Sequence, residues 1–199
     1  MINIESISTS KPYSYFVNLY KKAVQADQKV VEAIAISSFD SQNIEVESRF
    51  VNLKYILDEE WIFFSNYDSP KAKQFKMHDQ ITALFFWNSI NVQIRIKATI
   101  KKSNEELSNQ HYISRSKEKN ALAHSSSQSK QIESYDKVLN NYKITLNNEE
   151  LISQRPKNWG GFSFEPYYFE FWEGSIHRLN KREVFTKNKK NWIKSFLQP

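Results

Sequence analysis

The order of hydrophobic and polar positions divides the chain into helical and extended segments. Residues 12–27 carry apolar side chains at helical spacing, with Pro12 acceptable in a first turn, and predict a helix. Residues 92–100 alternate between apolar and polar side chains, which is typical of a strand with one buried face. Further strands are predicted over residues 31–39, 44–53, 61–66, 81–87, 167–174, 183–187 and 191–197, the last two forming a terminal hairpin.

Three more helices are predicted between these strands. Ser69 is a suitable N-cap and Pro70 a suitable first residue for a short helix. The polar residues 104–115 and residues 132–143 form the other two, and the serine-rich residues 124–131 form a loop between them. Because the strands do not alternate regularly with helices, they predict a mainly β fold, an antiparallel barrel with helical additions.

Composition places this fold in a globular protein of one domain, residues 1–199, without an internal repeat or linker. The chain lacks cysteine, an apolar run of the ~18 residues that span a bilayer, and a recognisable signal peptide. These features lead us to expect a cytoplasmic protein without a membrane partner. The net charge of +6 fits nucleic-acid binding, a solvated basic surface or a pocket for small anions, and bulk charge does not choose among them.

The glycines single out one segment of the chain. All three lie in residues 155–182, together with two of the five tryptophans. Because glycine has no side chain, another backbone or a planar ligand can approach closely at Gly160 and Gly161. Tyr167, Phe169 and Phe171 are expected on one face of the strand that follows, and Trp172 on the other.

The amino-acid sequence of this segment resembles the C-terminal signature of the pyridoxamine 5′-phosphate oxidase family. The matching elements are WGGF from Trp159, EFWEG from Glu170 and RLNKR from Arg178. Upstream, SRFVNLK around Arg49 and FFSNYDSPKAKQ from Phe63 are similar to two further elements of that family. Single matches to family positions follow at Gln93, Ser114, Arg115, Gln128 and Ser129.

The resemblance implies an antiparallel split β-barrel of Greek-key type, assembled as a homodimer. Two molecules of flavin mononucleotide (FMN) are then expected at the subunit interface, with residues from about 155–199 contributing to dimerisation and to the substrate site. The implied FMN contacts are Arg49, Lys54, Phe64, Ser65, Lys71, Gln93, Gln128, Ser129, Trp172 and Arg182. The implied catalytic and substrate contacts are Lys54, His111, Arg115, Lys119, Arg178 and Asn180.

The implied activity is that of a flavoprotein oxidoreductase in pyridoxal phosphate biosynthesis. Pyridoxamine or pyridoxine 5′-phosphate transfers a hydride to the flavin, and dioxygen reoxidises it to give pyridoxal 5′-phosphate and hydrogen peroxide. No metal is expected, because the four histidines lack zinc-ligand spacing. The expected partner is a small anionic ring compound rather than a nucleic acid.

The sequence departs from the family pattern mainly on the substrate side. Asn180 replaces a histidine, His111 a tyrosine and Lys119 a serine. Pro70 replaces an arginine that helps to hold the FMN phosphate, so that Lys71, assisted by Lys73, is expected to compensate. These departures keep open a related oxidase of another ring substrate, of the phenazine-biosynthesis type.

Two other hypotheses use the same barrel. One is a non-catalytic flavin- or haem-binding protein, which has no use for Arg115 and Arg178 beside the ring. The other is a nucleic-acid-binding barrel with exposed aromatic side chains. Arg49 and Lys54 are five positions apart, so a bulge or a strand end must intervene if both contact one flavin; Trp159 is interpreted as structural.

Overall fold

The computed structural model describes residues 1–199, which form nine strands and six helices. The strands are β1 Asn3–Ile7, β2 Ala33–Asp40, β3 Glu45–Asp58, β4 Glu60–Asn66, β5 Gln80–Trp87, β6 Val92–Lys102, β7 Trp159–Glu173, β8 Lys181–Asn188 and β9 Asn191–Leu197. The helices are α1 Lys11–Gln25, α2 Pro70–Met77, α3 Glu105–Ile113, α4 Lys117–Ser125, α5 Tyr135–Leu146 and α6 Glu149–Ser153. None of the helices combines the length and apolar character needed to cross a bilayer.

The strands form one sheet whose pairings close a ring. Going round it, β3 pairs with β2, β2 with β5, β5 with β6, β6 with β7, β7 with β4, and β4 again with β3, all antiparallel. The hairpin of β8 and β9 extends the sheet from β7, and β1 adds to β3 in parallel. The predicted mainly β architecture with helical additions is confirmed.

The interior of the ring is filled by large aromatic side chains. Phe16 of α1 packs against Trp61 of β4, with ring centres 4.5 Å apart, and Tyr13 packs edge-on against Phe169 of β7. All four side chains are fully buried. Since full burial of one such side chain contributes roughly 1.5–3 kcal/mol, helix α1 is an integral part of this core.

The predicted strand over 92–100 shows the expected alternation, because its apolar side chains are buried and its polar ones are not. The face prediction for β7 was wrong in part. The β6–β7 register shifts between Lys97 and Ala98, which leaves Tyr167 unpaired and half-buried while Phe169 and Phe171 are fully buried. Strand β1 and helices α4 and α6 were not predicted.

The two adjacent glycines lie where β7 pairs with β4, opposite Phe64 and Ser65. A Cβ atom on Gly160 would lie 2.1 Å from the Tyr67 hydroxyl oxygen, and one on Gly161 would lie 2.1 Å from the Ser103 Oγ. The space is therefore filled by side chains of the same chain, and not by another backbone or a ligand. These contacts fix the start of β7 and so place Trp159 at its first position.

Candidate functional site

A cavity of about 720 Å³ opens beside the ring, between β3, β4, the start of α2, helix α3 and the loop after α4. This volume is typical of sites for cofactors and small substrates, which measure roughly 300–1,000 Å³. Ten of the site residues predicted from the sequence line the cavity: Arg49, Lys54, Phe64, Ser65, Lys71, His111, Arg115, Lys119, Gln128 and Ser129.

A bulge in β3 brings Arg49 and Lys54 to the same cavity. Leu53 pairs with Phe63 and Tyr55 with Ile62, so Lys54 is an additional residue on its strand. Such a bulge reverses the side-chain alternation from that point on. The bulge that is needed for Arg49 and Lys54 to contact one ligand is therefore present.

The lining of the cavity is strongly cationic. Its five arginine and lysine side chains face one carboxylate, that of Glu47, which leaves a net charge of +4 with His111 neutral. Glu47 pairs with Arg49 at 2.7 Å, and both groups are partly exposed. Of the three interpretations of the net positive charge of the chain, this concentration of cationic side chains supports a pocket for small anions.

Arg49 and Lys71 form the deeper cationic end. The Arg49 guanidinium donates to the Ser38 Oγ at 2.6 Å and to the Gln74 Oε1 at 3.2 Å. Lys71 is 7% exposed, and its only side-chain hydrogen bond is to the Ser69 Oγ at 3.3 Å. Burial, and then the charge of Arg49, lower the pKa of Lys71 to about 8.

This end of the cavity is built to receive an anion. A buried lysine without a carboxylate partner is costly unless a ligand supplies the countercharge. The Gln74 Nε2 is also buried without an acceptor. Lys71 lies in the first turn of α2, where backbone N–H groups and the helix dipole favour negative charge as well.

Three nearly parallel rings form another wall of the cavity. The His111 ring stacks on Phe64 with centres 3.9 Å apart, and Phe64 stacks on Trp159 at 5.4 Å. The Tyr55 hydroxyl lies 2.9 Å from the His111 Nδ1. Burial, followed by the charges of Arg115, Lys54 and Lys119, lowers the pKa of His111 to about 4. The imidazole is therefore a neutral hydrogen-bonding group at neutral pH.

Arg115 completes this wall. Its guanidinium lies over Trp159, 4.2 Å from the ring centre, and its Nη2 donates to the Lys119 carbonyl at 2.7 Å. Its Nη1 is buried without a partner, and burial lowers the pKa of the group. The unused N–H groups of this half-buried cation provide a second position for an anionic group.

Ser65, Gln128 and Ser129 line the space near these two ends. The Ser65 Oγ lies 3.2 Å from the Gln128 Oε1, which joins β4 to the loop after α4. Ser129 has a left-handed backbone with φ of 66°, a conformation that is uncommon for residues other than glycine. Polar groups of a serine–glutamine loop therefore reach the cavity.

The other five predicted site residues lie elsewhere in the chain. Gln93 of β6, Trp172 of β7 and Arg182 of β8 stand opposite one another in adjacent strands. Arg178 is exposed and left-handed, with φ of 62°, and the Asn180 Oδ1 accepts a hydrogen bond from the Ser175 N–H at 3.2 Å. Within one chain, this second group does not reach the cavity lining.

Two interpretations made from the sequence need correction. Trp159 lines the cavity, and the Arg115 guanidinium lies over its ring, so its role is not limited to packing. In the sequence, only its position next to Gly160 pointed to a site at Trp159. Lys73 lines a separate groove, with Tyr67 and Phe75, and does not assist Lys71 in the cavity.

Comparison with known families gives a match at the C-terminal end. Residues 159–199 match the model of the pyridoxine 5′-phosphate oxidase C-terminal dimerisation region. A protein of Leptospira interrogans named pyridoxine/pyridoxamine 5′-phosphate oxidase is 30% identical over 198 residues, covering 96% of this chain and 89% of the relative. A protein of Hydrogenovibrio crunogenus named pyridoxine/pyridoxamine 5′-phosphate oxidase 1 is 30% identical over 191 residues, covering 94% and 88%.

Two solved structures share the fold. PhzG from Burkholderia lata, solved in complex with tetrahydrophenazine-1-carboxylic acid, has a TM-score of 0.89 at 23% identity and covers 96% of this chain and 93% of its own. A pyridoxamine 5′-phosphate oxidase-related, FMN binding protein from Nostoc punctiforme has a TM-score of 0.77 at 10% identity, covering 96% and 99%.

Proposed function

The chain belongs to the pyridoxine/pyridoxamine 5′-phosphate oxidase family of FMN-dependent oxidoreductases, and on that premise we propose that it oxidises pyridoxine or pyridoxamine 5′-phosphate. The alcohol and dioxygen give pyridoxal 5′-phosphate and hydrogen peroxide; the amine also consumes water and releases ammonia. The observation that carries the proposal is a cavity with two separate positions for anionic groups, one at Lys71 and one at Arg115.

The residues at the Lys71 end fit the phosphate of FMN. Lys71 lacks a countercharge, Arg49 is held in place by Ser38 and Gln74, and the Gln74 amide retains a free donor. Charge-assisted hydrogen bonds from such groups contribute roughly 1.5–3 kcal/mol each. We assign Arg49 and Lys71 to the phosphate, and Ser65, Gln128 and Ser129 to the ribityl chain.

Pro70 lines the cavity where the family has an arginine, and it supplies no donor there. Lys71 therefore carries more of the phosphate binding than its counterpart in relatives that retain the arginine. When bound, FMN supplies the hydride acceptor and passes the electrons to dioxygen. Phe64 and Lys54 line the cavity and would border the flavin ring.

The Arg115 end binds the substrate in this proposal. Lys54, Arg115 and Lys119 attract its phosphate, and the buried Nη1 of Arg115 provides a free donor. His111 remains neutral, because its pKa of about 4 lies well below physiological pH, and it offers a hydrogen bond without adding charge. The protein thus contributes orientation and electrostatics, and no nucleophile.

We also propose that the protein is a homodimer with the split-barrel arrangement, in which each site is built from two copies. The dimerisation region of the family includes Trp172, Arg178, Asn180 and Arg182, which lie away from the cavity of their own chain. Bringing this group to the cavity of a second copy joins both sets of predicted residues. Phe86, 57% exposed, stands opposite Gln93, so this face of the sheet carries an exposed large apolar side chain of the kind that a dimer interface would cover.

The first test is the visible spectrum of the purified protein during titration with FMN, followed by anaerobic addition of pyridoxine 5′-phosphate. We expect a bound flavin that bleaches. Lys71→Met should weaken FMN binding, whereas Lys73→Met, a matched change on the same helix that faces another groove, should not. Absence of FMN binding by the wild-type protein would overturn the proposal.

A second candidate substrate class follows from the substrate side of the site. Lys119 adds a charge to the cavity, and the Asn180 side-chain oxygen is engaged by Ser175. Both features favour a relative that oxidises a different anionic ring compound. This candidate would be supported if the protein binds FMN and the bound flavin is bleached by a partly reduced phenazine carboxylic acid but not by pyridoxine 5′-phosphate.

A further inference from the structure

We propose that Glu170 is a positioning residue that fixes the Arg182 guanidinium against the flavin site. The inference rests on the proposed function, because Arg182 is an FMN contact implied by the family resemblance and reaches the flavin only in the proposed dimer. Glu170 has no role in the family resemblance beyond its place in the EFWEG element.

Glu170 lies between two arginines on neighbouring strands. Arg95 of β6 is its direct partner across the β6–β7 pair, and the Arg95 Nη2 donates to the Glu170 Oε2. Arg182 of β8 donates to the Glu170 Oε1 from both Nε, at 2.9 Å, and Nη2, at 2.7 Å. The Tyr168 hydroxyl gives a fourth hydrogen bond, to Oε2 at 3.1 Å.

Such a carboxylate is not an ordinary surface charge. Its side chain is 3% exposed, although it lies on a strand position that alternates with the buried phenylalanines of β7. Burial raises the pKa of the Glu170 carboxyl, but hydrogen bonds from Arg182 and Arg95 outweigh it and lower the pKa below its usual value. The residue therefore remains ionised and tied to both arginines.

The geometry constrains Arg182 more than a simple ion pair does. Two donors on one edge of the planar guanidinium share one carboxylate oxygen, and Nη1 donates to the Gln198 carbonyl at 3.0 Å. Three of the five N–H groups are thus used, which fixes the plane and leaves two for a ligand. Arg182 is the cross-strand partner of Trp172, which in turn pairs with Gln93.

Arg95 makes this arrangement cationic overall. A pair of Glu170 and Arg182 alone would be neutral, whereas two arginines around one carboxylate leave one positive charge in excess. Positive charge beside a bound flavin favours its reduced form. Glu170 consequently fixes the direction of Arg182 without cancelling the field of the pair of arginines.

The test is a double-mutant cycle between Glu170 and Arg182, read out as the dissociation constant and midpoint potential of FMN. Glu170→Gln keeps the side-chain shape but removes the negative charge and replaces one acceptor oxygen by an amide donor, which then faces one of the two guanidinium groups. We expect FMN to bind about tenfold more weakly, which is the size of one charge-assisted hydrogen bond. In an Arg182→Ala background, the same substitution should have no further effect on the dissociation constant, which is the quantity that reports positioning.

Glu165→Gln serves as the matched control, because Glu165 lies on the same strand, has a side chain that is 44% exposed, and pairs with Lys101. It should bind FMN as the wild-type protein does. If Glu170→Gln does not fold, Glu170→Asp keeps the charge while withdrawing the carboxylate by one methylene, and it should weaken FMN binding in the same Arg182-dependent way.

The outcomes separate this inference from the function on which it rests. A wild-type protein that binds no FMN overturns the proposed function. Wild-type binding with an unchanged dissociation constant and potential in Glu170→Gln overturns only the positioning role. Equal losses with and without Arg182 would mean that Glu170 supports the fold of the sheet and does not act through Arg182.

Discussion

The guanidinium carbon of Arg115 lies 4.2 Å from the centre of the Trp159 ring, at the edge of the cationic cavity. Arg115 is on the segment between α3 and α4, and Trp159 is the first residue of β7, so this contact connects two distant parts of the chain. A cation–π contact of a desolvated arginine contributes about 0.5–2 kcal/mol. Trp159 therefore holds the group that we assign to the substrate anion.

Trp159→Phe should raise the KM for the anionic substrate about threefold to tenfold, because phenylalanine gives a weaker cation–π contact. The dissociation constant of FMN should change little, since Trp159 lies at the substrate end. Steady-state kinetics and FMN titration measure the two effects. Trp87→Phe, in the core and away from the cavity, is the control and should leave KM unchanged. Equal KM values in all three proteins would contradict the assignment.

The pKa of Lys71 predicts how FMN binding depends on pH. In the free protein its pKa is lowered to about 8, mainly by burial, so the lysine is charged below that pH and neutral above it. The phosphate binds the charged form, and affinity should therefore decrease as the pH rises through about 8. In Lys71→Met this decrease should disappear, and in Lys73→Met it should persist. Fluorescence titrations of FMN across this range provide the measurement.

The sequence predicted most of the sheet because its strands carry strong local patterns. Alternation over 92–100 identified β6, and the helical spacing over 12–27 identified α1. Helix α4 and the short β1 lack such a pattern, since α4 buries only Asn120 and Ala121. Their structure depends on tertiary contacts, such as the hydrogen bond from the Asn120 amide to the Tyr112 carbonyl at 3.2 Å.

The candidate site was only partly predictable, for a different physical reason. Family motifs supplied the residue types, but the cavity depends on a bulge at Lys54 and on the stack of Phe64 with His111 and Trp159. Neither follows from local alternation, because both depend on pairing between distant strands and helices. Pairing of Glu170 with two arginines is equally non-local, which is why no sequence argument singled it out.

The partly buried His111 predicts a loss of stability in acid. Its pKa is lowered to about 4 by burial and by three nearby cations, whereas in the unfolded chain it is near 6.5. The unfolded state consequently binds a proton that the folded state does not as the pH falls from 6.5 towards 4. The stability contributed by the neutral ring is present above 6.5 and is lost over this window.

Because His111 is only partly buried, we expect this loss to be about 1–2 kcal/mol after allowance for solvent screening. His111→Gln should remove that part of the pH dependence and leave the contribution of the carboxylates. Denaturant unfolding of both proteins at about pH 7 and about pH 4.5 gives the comparison. Parallel losses of stability in the two proteins would show that His111 does not titrate in this way.

Construction of each site from two copies predicts complementation between two defective variants. Lys71→Glu damages the cavity half, and Arg182→Ala damages the half that lies on β8. A mixed dimer of the two contains one site with both defects and one site with neither, because a two-fold dimer pairs each cavity with the second half-site of the other copy. Co-expression with two affinity tags allows the mixed dimer to be isolated.

The mixed dimer should bind one FMN tightly, whereas each parent variant should bind FMN weakly at both of its sites. Flavin absorbance per protein, measured after gel filtration, distinguishes these stoichiometries. Were each site built within a single chain, every chain of the mixed dimer would carry one defect and no tight site would form. A mixed dimer without tightly bound FMN, prepared from a wild-type protein that does bind it, would therefore exclude sharing of the site between copies.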